Sequence, residues 1–418
     1  MTRRTCCGVV AMALGIVLRG TLALSQSQPP TQGPAVDGSP AWFLQGSYPD
    51  PGGRTIVERG GRVTIPARDG APPPTTGDAR AVAPPPTPAC TRSPLCGSRS
   101  GPGRQALQRV QWQQAMGYTF TYPYNLPPGF GGVPAVALDS KGNLWVFQRA
   151  PLGKPQLFKF DSNHTLILEV GPDTIGYQDK AHGMAVDADD NVWITAANGA
   201  TVMKVSPDGK LLMTIGERGR RGDWNEARGQ RLLWQPLMVA FAPNGDVYIG
   251  EGHANESPND TDKSPTNSSG AARVLHLDKN GAYINQWFGN KAGQGHFSMV
   301  HGLAVNPDNG NVYIGDREEY RLVVYDRRGT FVRTIQMRNL VCALYVDPHN
   351  QLWMATGQDG QIFKIDWDGN VLGAIGNGPG RGEGQFVEST YLAMDAAGNL
   401  FSGDTSVARI TKMVAPRK

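Results

Sequence analysis

Three histidines, two arginines and one cysteine fall at matching places in an otherwise turn-rich sequence. His182 and His301 each open a run of the same design, HGMAVDADDNVWITAAN and HGLAVNPDNGNVYIGDRE. Arg149 and Arg317 stand where such runs end, and His253 follows a third, LMVAFAPNGDVYIGEGH. Paired imidazoles are the usual ligands of zinc or another divalent metal, and a third ligand with an open position would make the arrangement catalytic. Arginines converging on one place suit an anion or carboxylate. Histidine titrates near neutral pH, so His253 is a candidate general base. Cys342 opens a further run, so a His-His-Cys site with a thiolate ligand stands beside the alternative of an inert buried thiol. The structural alternatives are equally concrete. The histidines could bond carbonyls, and Arg149 and Arg317 could pair with Glu251, Asp316 or Asp404 as a rim.

These residues converge only if the elements carrying them close on one another. The runs start at Pro134, His182, Leu237, His301, Cys342 and Thr390, at intervals of 48, 55, 64, 41 and 48 residues. Each alternates apolar and polar positions around a turn such as DSKGN, PNGD or PDNGN, which reads as two antiparallel strands. Most are followed by two more strand patterns, as in GQIFKIDWDGNVLGAIG. Four strands per unit and a period near 50 predict an all-β, six-bladed β-propeller, with an open solenoid as the competing arrangement. The last unit lacks a fourth strand, which the segment near Tyr118–Tyr122 can supply, closing the ring. The first strand of a blade starts at the face to which the second returns. Arg149, His182, His253, His301 and Arg317 are therefore expected around one mouth of the central channel, with Glu251, Asp316 and Asp404 adding carboxylates. Trp145, Trp193, Tyr248, Tyr313, Trp353 and Phe401 share one position and are expected in the core. Asp139, Asp187, Asp347 and Asp395 are expected to serve their turns.

The chain ahead of the repeats is of another kind. Met1–Ser25 has Arg3 and Arg4, an apolar run and small residues at Ala23-Leu24-Ser25, the pattern of a secretory signal peptide, and implies a secreted, extracellular or periplasmic protein. Residues 26–104 are rich in Pro, Gly, Ser and Thr and predict a disordered linker, in which Cys90 and Cys96 could close a small disulfide loop. The propeller then occupies 105–418. A net charge of +4 over 418 residues argues against a nucleic-acid partner, and no later stretch is apolar enough to be a stable membrane span. Asn255–Ala271 is a polar insertion over the expected mouth, either a lid or partner contact or a tolerated loop.

The units resemble NHL repeats, and from about Gly117 onward the chain is similar to the peptidyl-α-hydroxyglycine α-amidating lyases and their bacterial relatives. That resemblance implies zinc held by three histidines, here His182, His301 and the residue at 390, which is Thr390. It implies an arginine on the substrate carboxylate at Arg149, and a tyrosine base where His253 stands. A calcium site is also implied, but its aspartate is replaced by Tyr391. The reaction so implied cleaves a peptidyl-α-hydroxyglycine into amide and glyoxylate. Two classes of function follow. One is a metal-dependent lyase using His182, His301, Arg149 and Arg317. The other is a binding or scaffold propeller that takes a small anionic, peptide or protein ligand at the mouth.

Overall fold

In a computed structural model the described residues are 116–252, 272–289 and 295–417. The expected signal, linker and Cys90–Cys96 loop, together with His253 and the Asn255–Ala271 insertion, lie outside them. The described part is all-β apart from short helical turns.

Blade one is β2 Gly132–Leu138, β3 Leu144–Arg149, β4 Leu157–Phe160 and β5 Leu166–Val170. Blade two is β6 Ala181–Val186, β7 Val192–Ala196, β8 Thr201–Val205 and β9 Leu211–Ile215. A hairpin of β10 Trp224–Asn225 and β11 Gln230–Arg231 precedes blade three, which is β12 Pro236–Phe241, β13 Val247–Glu251, β14 Arg273–Leu277 and β15 Tyr283–Phe288. Blade four is β16 Gly302–Val305, β17 Val312–Asp316, β18 Arg321–Tyr325 and β19 Phe331–Gln336. Blade five is β20 Ala343–Val346, β21 Leu352–Ala355, β22 Ile362–Ile365 and β23 Val371–Ile375. Blade six has β24 Ser389–Met394, β25 Leu400–Asp404 and β26 Ile410–Val414. Its fourth strand is β1, Thr119–Thr121, from the other end of the propeller, paired antiparallel to β26 with Phe120 opposite Met413. The ring is thus closed as the sequence predicts. Closure covers the unpaired edge that β26 would otherwise present.

Why these residues make blades is visible at the repeated aromatics. Trp145, Trp193, Tyr248, Tyr313, Trp353 and Phe401 are all buried. Each buried aromatic contributes roughly 2–3 kcal/mol of hydrophobic stabilisation. Lysines from the third strand of the blade lie over four of them: Lys159 on Trp145, Lys204 on Trp193, Lys364 on Trp353 and Lys412 on Phe401. The first-turn aspartates serve their turns. Asp187 accepts from the N–H groups of Asp189 and Asn191 and from Trp193 Nε1, and Lys204 Nζ lies 2.9 Å away. Burial pushes the Asp187 carboxyl up, but the bonds from Trp193, Lys204 and Asn191 outweigh it, and the net shift is downward.

Candidate functional site at the channel mouth

The residues that open the first strands form a ring around the axis. Pro134, His182, Leu237, His301, Cys342 and Thr390 are all buried there. Every second blade reaches to the next. His182 Nδ1 donates to Leu237 O at 3.0 Å, His301 Nδ1 donates to Cys342 O, and Thr390 Oγ1 donates to Pro134 O. Blades two, four and six are so stitched to blades three, five and one. The glycine after each histidine is required by this closeness. A Cβ at Gly183 would run into Leu237 O, and one at Gly302 would crowd Leu344.

The two imidazoles meet edge to face with ring centroids 4.9 Å apart. Because Nδ1 of His301 donates to a carbonyl, the neutral ring presents Nε2 as an acceptor. Arg317 Nη1 donates to that Nε2 at 3.0 Å. Arg317 is fully buried at the end of β17, and its Nη2 donates to Gln358 Oε1 at 2.9 Å. Gln358 Nε2 donates in turn to Glu388 Oε1, whose carboxylate stands 3.7 Å from Arg317, with Glu318 3.6 Å from Arg317 Nε. Arg317 is therefore countered by carboxylates of blade four and of the loop entering blade six. These loop residues were missed from sequence, because nothing in the repeat pattern marks Gln358 or Glu388.

Tyr391 forms the floor. Its hydroxyl crosses the channel from blade six to donate to Leu237 O at 2.6 Å, and lies 3.4 Å from His182 Nδ1. Burial, together with the nearness of Cys342, holds this phenol far above its ordinary value, while the Arg149 charge acts in the opposite sense. Beyond Tyr391 the channel is an apolar cavity of about 560 Å³, lined by Met184, Met238, Leu303 and Leu344 among others. Arg149 is half-buried at the end of β3, and its Nε donates to Ala181 O at 3.1 Å.

The structure thus gathers Arg149, His182, His301 and Arg317 at one mouth. It corrects the placement of the acids. Glu251, Asp316 and Asp404 do not face the channel. Each is paired within its own blade with the arginine at or just before the start of the third strand: Arg273, Arg321 and Arg409 respectively. Each also accepts backbone N–H groups from the segment entering its own blade, Trp234 for Glu251, Ser298 and Met299 for Asp316, Val387 and Glu388 for Asp404. Blade one does the same with uncharged groups, Gln148 accepting from Gly131 N and Gln156 Nε2 donating to Gln148 O. The rim pairing is real, but Arg149 and Arg317 are not its members.

Three residues bear on a metal. Among the described residues no cluster of three or more His, Cys, Asp or Glu side chains is arranged to hold an ion. Cys342 Sγ lies 3.7 Å from His301 Nδ1, the nitrogen already bonded to a carbonyl, and burial pushes its thiol up to about 12. Thr390 uses its hydroxyl on Pro134 O and lies 3.2 Å from Thr405 Oγ1. The three-imidazole set that zinc would need is incomplete, and the calcium position holds the Tyr391 phenol. The residues present do not fit the metal centre that the resemblance implies.

Several known proteins are similar to this chain. The NHL repeat family matches residues 297–325, the heart of blade four. Peptidylglycine alpha-amidating monooxygenase of Rattus norvegicus is 27% identical over 256 residues, covering 53% of this chain and 24% of that protein. Peptidyl-alpha-hydroxyglycine alpha-amidating lyase 1 of Drosophila melanogaster is 27% identical over 266 residues, covering 55% of this chain and 45% of that protein. The chain therefore spans less than half the length of these curated relatives. Among solved structures, a streptogramin B lyase superposes with a TM-score of 0.47 at 11% identity, covering 72% of this chain and 98% of that one. A gluconolactonase from Xanthomonas campestris gives 0.49 at 17% identity, covering 72% and 90%. The chain is an NHL-repeat six-bladed β-propeller homologous to the peptidyl-α-hydroxyglycine α-amidating lyases.

Proposed function

We propose that this propeller binds a small carboxylate or the carboxylate end of a peptide at the histidine mouth of its channel. The observation that carries the reading is Arg149. Its Nε is fixed on Ala181 O, and among the described residues its Nη1 and Nη2 make no hydrogen bond or ion pair. A half-buried guanidinium with two parallel donors uncommitted is suited to a carboxylate held by both oxygens. Arg317 has another part. Its charge is already balanced by Glu318 and Glu388, so it orders the wall rather than gripping the ligand. The names of the relatives point to a peptide ending in α-hydroxyglycine as the first ligand to try. The export pattern at Met1–Ser25 places this binding outside the cytoplasm in the same proposal, and cell fractionation of the full chain checks it.

Calorimetric titration with such a peptide, and with the same peptide ending in an amide, tests the reading. The carboxylate form binds, the amide binds at least about tenfold more weakly, and Arg149→Ala abolishes the difference. Equal binding of the two peptides, or an Arg149→Ala protein that still discriminates between them, would refute it. A second reading, an active lyase, is favoured by the homology and by the pair His182 and His301. Release of glyoxylate from the same peptide, in buffer with added zinc, decides between binding and turnover. A protein-interaction scaffold is left if neither is seen.

A further inference from the structure

We propose that Thr195 is the positioning residue for His182: its hydroxyl locks the backbone bulge from which that imidazole is aimed across the axis. The two histidines of the mouth are delivered differently. In blade four the ladder is regular, with Gly302 opposite Gly315 and His301 N donating to Gly315 O at 3.0 Å. In blade two Ala181 faces Ala196 and Met184 faces Ile194, so His182 and Gly183 together oppose the single residue Thr195. Such a bulge leaves one residue out of the ladder and re-aims a side chain. The two imidazoles nevertheless end with ring centroids 4.9 Å apart, each with Nδ1 on a carbonyl of the next blade. Something in blade two has to fix the bulge.

Thr195 is built for this. Its Oγ1 accepts from Gly183 N at 2.7 Å and donates to Leu237 O at 3.0 Å. The side chain is fully buried, and branching at Cβ leaves χ1 little freedom. The same carbonyl receives His182 Nδ1 at 3.0 Å and the Tyr391 hydroxyl at 2.6 Å. Three donors thus share the two lone pairs of one oxygen. The imidazole keeps its place among them only while its backbone holds it in line. With Nδ1 so engaged, the neutral ring keeps Nε2 as an acceptor for whatever the mouth takes. The hydroxyl is not part of the repeat. Gly250, Gly315 and Gly403 stand at the matching place in blades three, four and six, and in blade six Gly403 opposes the bulge of Thr390 and Tyr391. Without Thr195 Oγ1 the buried Gly183 N–H loses its acceptor, a penalty large enough to redraw the bulge. The inference concerns how His182 is held, whichever ligand Arg149 takes, so its failure and that of the carboxylate reading are separate.

The test is nuclear magnetic resonance of the full chain with its 7 histidines labelled with nitrogen-15, His182→Gln identifying the His182 signals. The parent is expected to show His182 as the Nδ1–H tautomer, with that proton slow to exchange with water. Thr195→Val keeps the shape and loses the hydroxyl. It is expected to speed that exchange at least about tenfold, and Thr195→Ser to bring it back to within about twofold of the parent. Thr356→Val removes a buried hydroxyl of like kind in blade five, bonded to Gln361 N and O, and is expected to leave His182 unchanged. Any of four results overturns the proposal: a parent His182 in the other tautomer, a parent-like His182 in Thr195→Val, a Thr195→Ser protein that resembles Thr195→Val, or a Thr356→Val protein that does. Should Thr195→Val not fold, as circular dichroism would reveal, Thr195→Cys takes its place, since a thiol is a weak donor and acceptor. Exchange at the parent rate in that variant refutes the inference, and exchange at least about fivefold faster supports it.

Discussion

The cross-strand pair Glu251–Arg273 gives the sharpest test of how blade three is tied to the segment that enters it. Both side chains are fully buried. Arg273 Nε donates to Glu251 Oε2 at 2.5 Å, Nη1 to Gln286 Oε1 at 3.1 Å and Nη2 to Leu232 O at 3.2 Å, while Glu251 Oε1 accepts from Trp234 N at 2.9 Å. Removing one partner leaves an uncompensated buried charge, at a cost of about 3–5 kcal/mol. The two single variants should differ in pH dependence. Burial raises the Glu251 carboxyl above its ordinary value even though Arg273 and the Trp234 N–H pull it down. In Arg273→Met the native carboxyl rises further. Its penalty is then fully present above the native value, shrinks as pH falls through it, and is gone below the unfolded value near 4.3. In Glu251→Ala the guanidinium stays charged throughout, so the penalty does not ease in acid. Blade one shows the remedy, since Gln148 and Gln156 fill the same two positions. Glu251→Gln/Arg273→Gln should therefore recover to within about 1–2 kcal/mol of the parent. Urea unfolding at pH 7 and pH 5 measures all four proteins. Single variants within about 1 kcal/mol of the parent, or a double variant as unstable as the sum of the singles, would refute the reasoning.

Three further outcomes follow from the same geometry. Cys342, with its thiol pushed up to about 12 by burial, should resist alkylation by iodoacetamide at pH 8 in the native protein and react after denaturation; native reaction at a free-thiol rate refutes its burial in the ring. Because the unfolded thiol ionises near 9.0 and the native one does not, this group lowers stability only as pH rises above about 9. Asp187→Ala should cost about 2–3 kcal/mol at pH 7, since three N–H donors and Lys204 lose their acceptor. The native Asp187 carboxyl is depressed, so its contribution is present above 3.8 and lost as pH falls through the native value; a gap from the parent that persists unchanged in acid would contradict it. Thr390→Val should cost about 1–2 kcal/mol by removing the bond to Pro134 O, and Thr390→Ser should be close to neutral; thermal melts that rank them otherwise exclude the stitching role.

Most of the fold was legible because a propeller repeats its instructions. Turn residues at fixed offsets and one aromatic per blade predict four strands and a shared core, and Thr119–Thr121 does supply the missing strand. The placement of His182, His301, Arg149 and Arg317 was legible for the same reason, since equivalent positions in a ring are neighbours. The acids were misplaced by a step that strand geometry could have prevented. Successive side chains on a strand point to opposite faces. If Arg317 faces the axis, Asp316 before it cannot, and the same holds for Asp404 before Thr405. Arg273, Arg321 and Arg409, each beginning the strand after an acid, are the matching signal: an arginine occurs there in the three blades that carry the acid, and Gln156, Thr201 and Gln361 stand there in the others. Gln358 and Glu388 had no such signal. They sit in loops of different blades, and only closure of the ring brings them to Arg317.

The ring separates two demands that fall on the same positions. One is structural, a side-chain donor from every second blade to the carbonyl of the next, and His182, His301 and Thr390 all meet it. The other is chemical, a nitrogen left over to face the axis, and only the histidines meet that. Threonine at 390 keeps the first and gives up the second, so the architecture holds while the ligand set falls short. Tyr391 beside it acts in the same direction, closing the channel with a phenol bonded to Leu237 O where a carboxylate would attract a cation. With one imidazole absent, Arg317 on another and a phenol as floor, the ligand we propose for this mouth is one that brings its own negative charge. Arg149, anchored through Nε with its other two nitrogens uncommitted among the described residues, is the residue proposed to receive it.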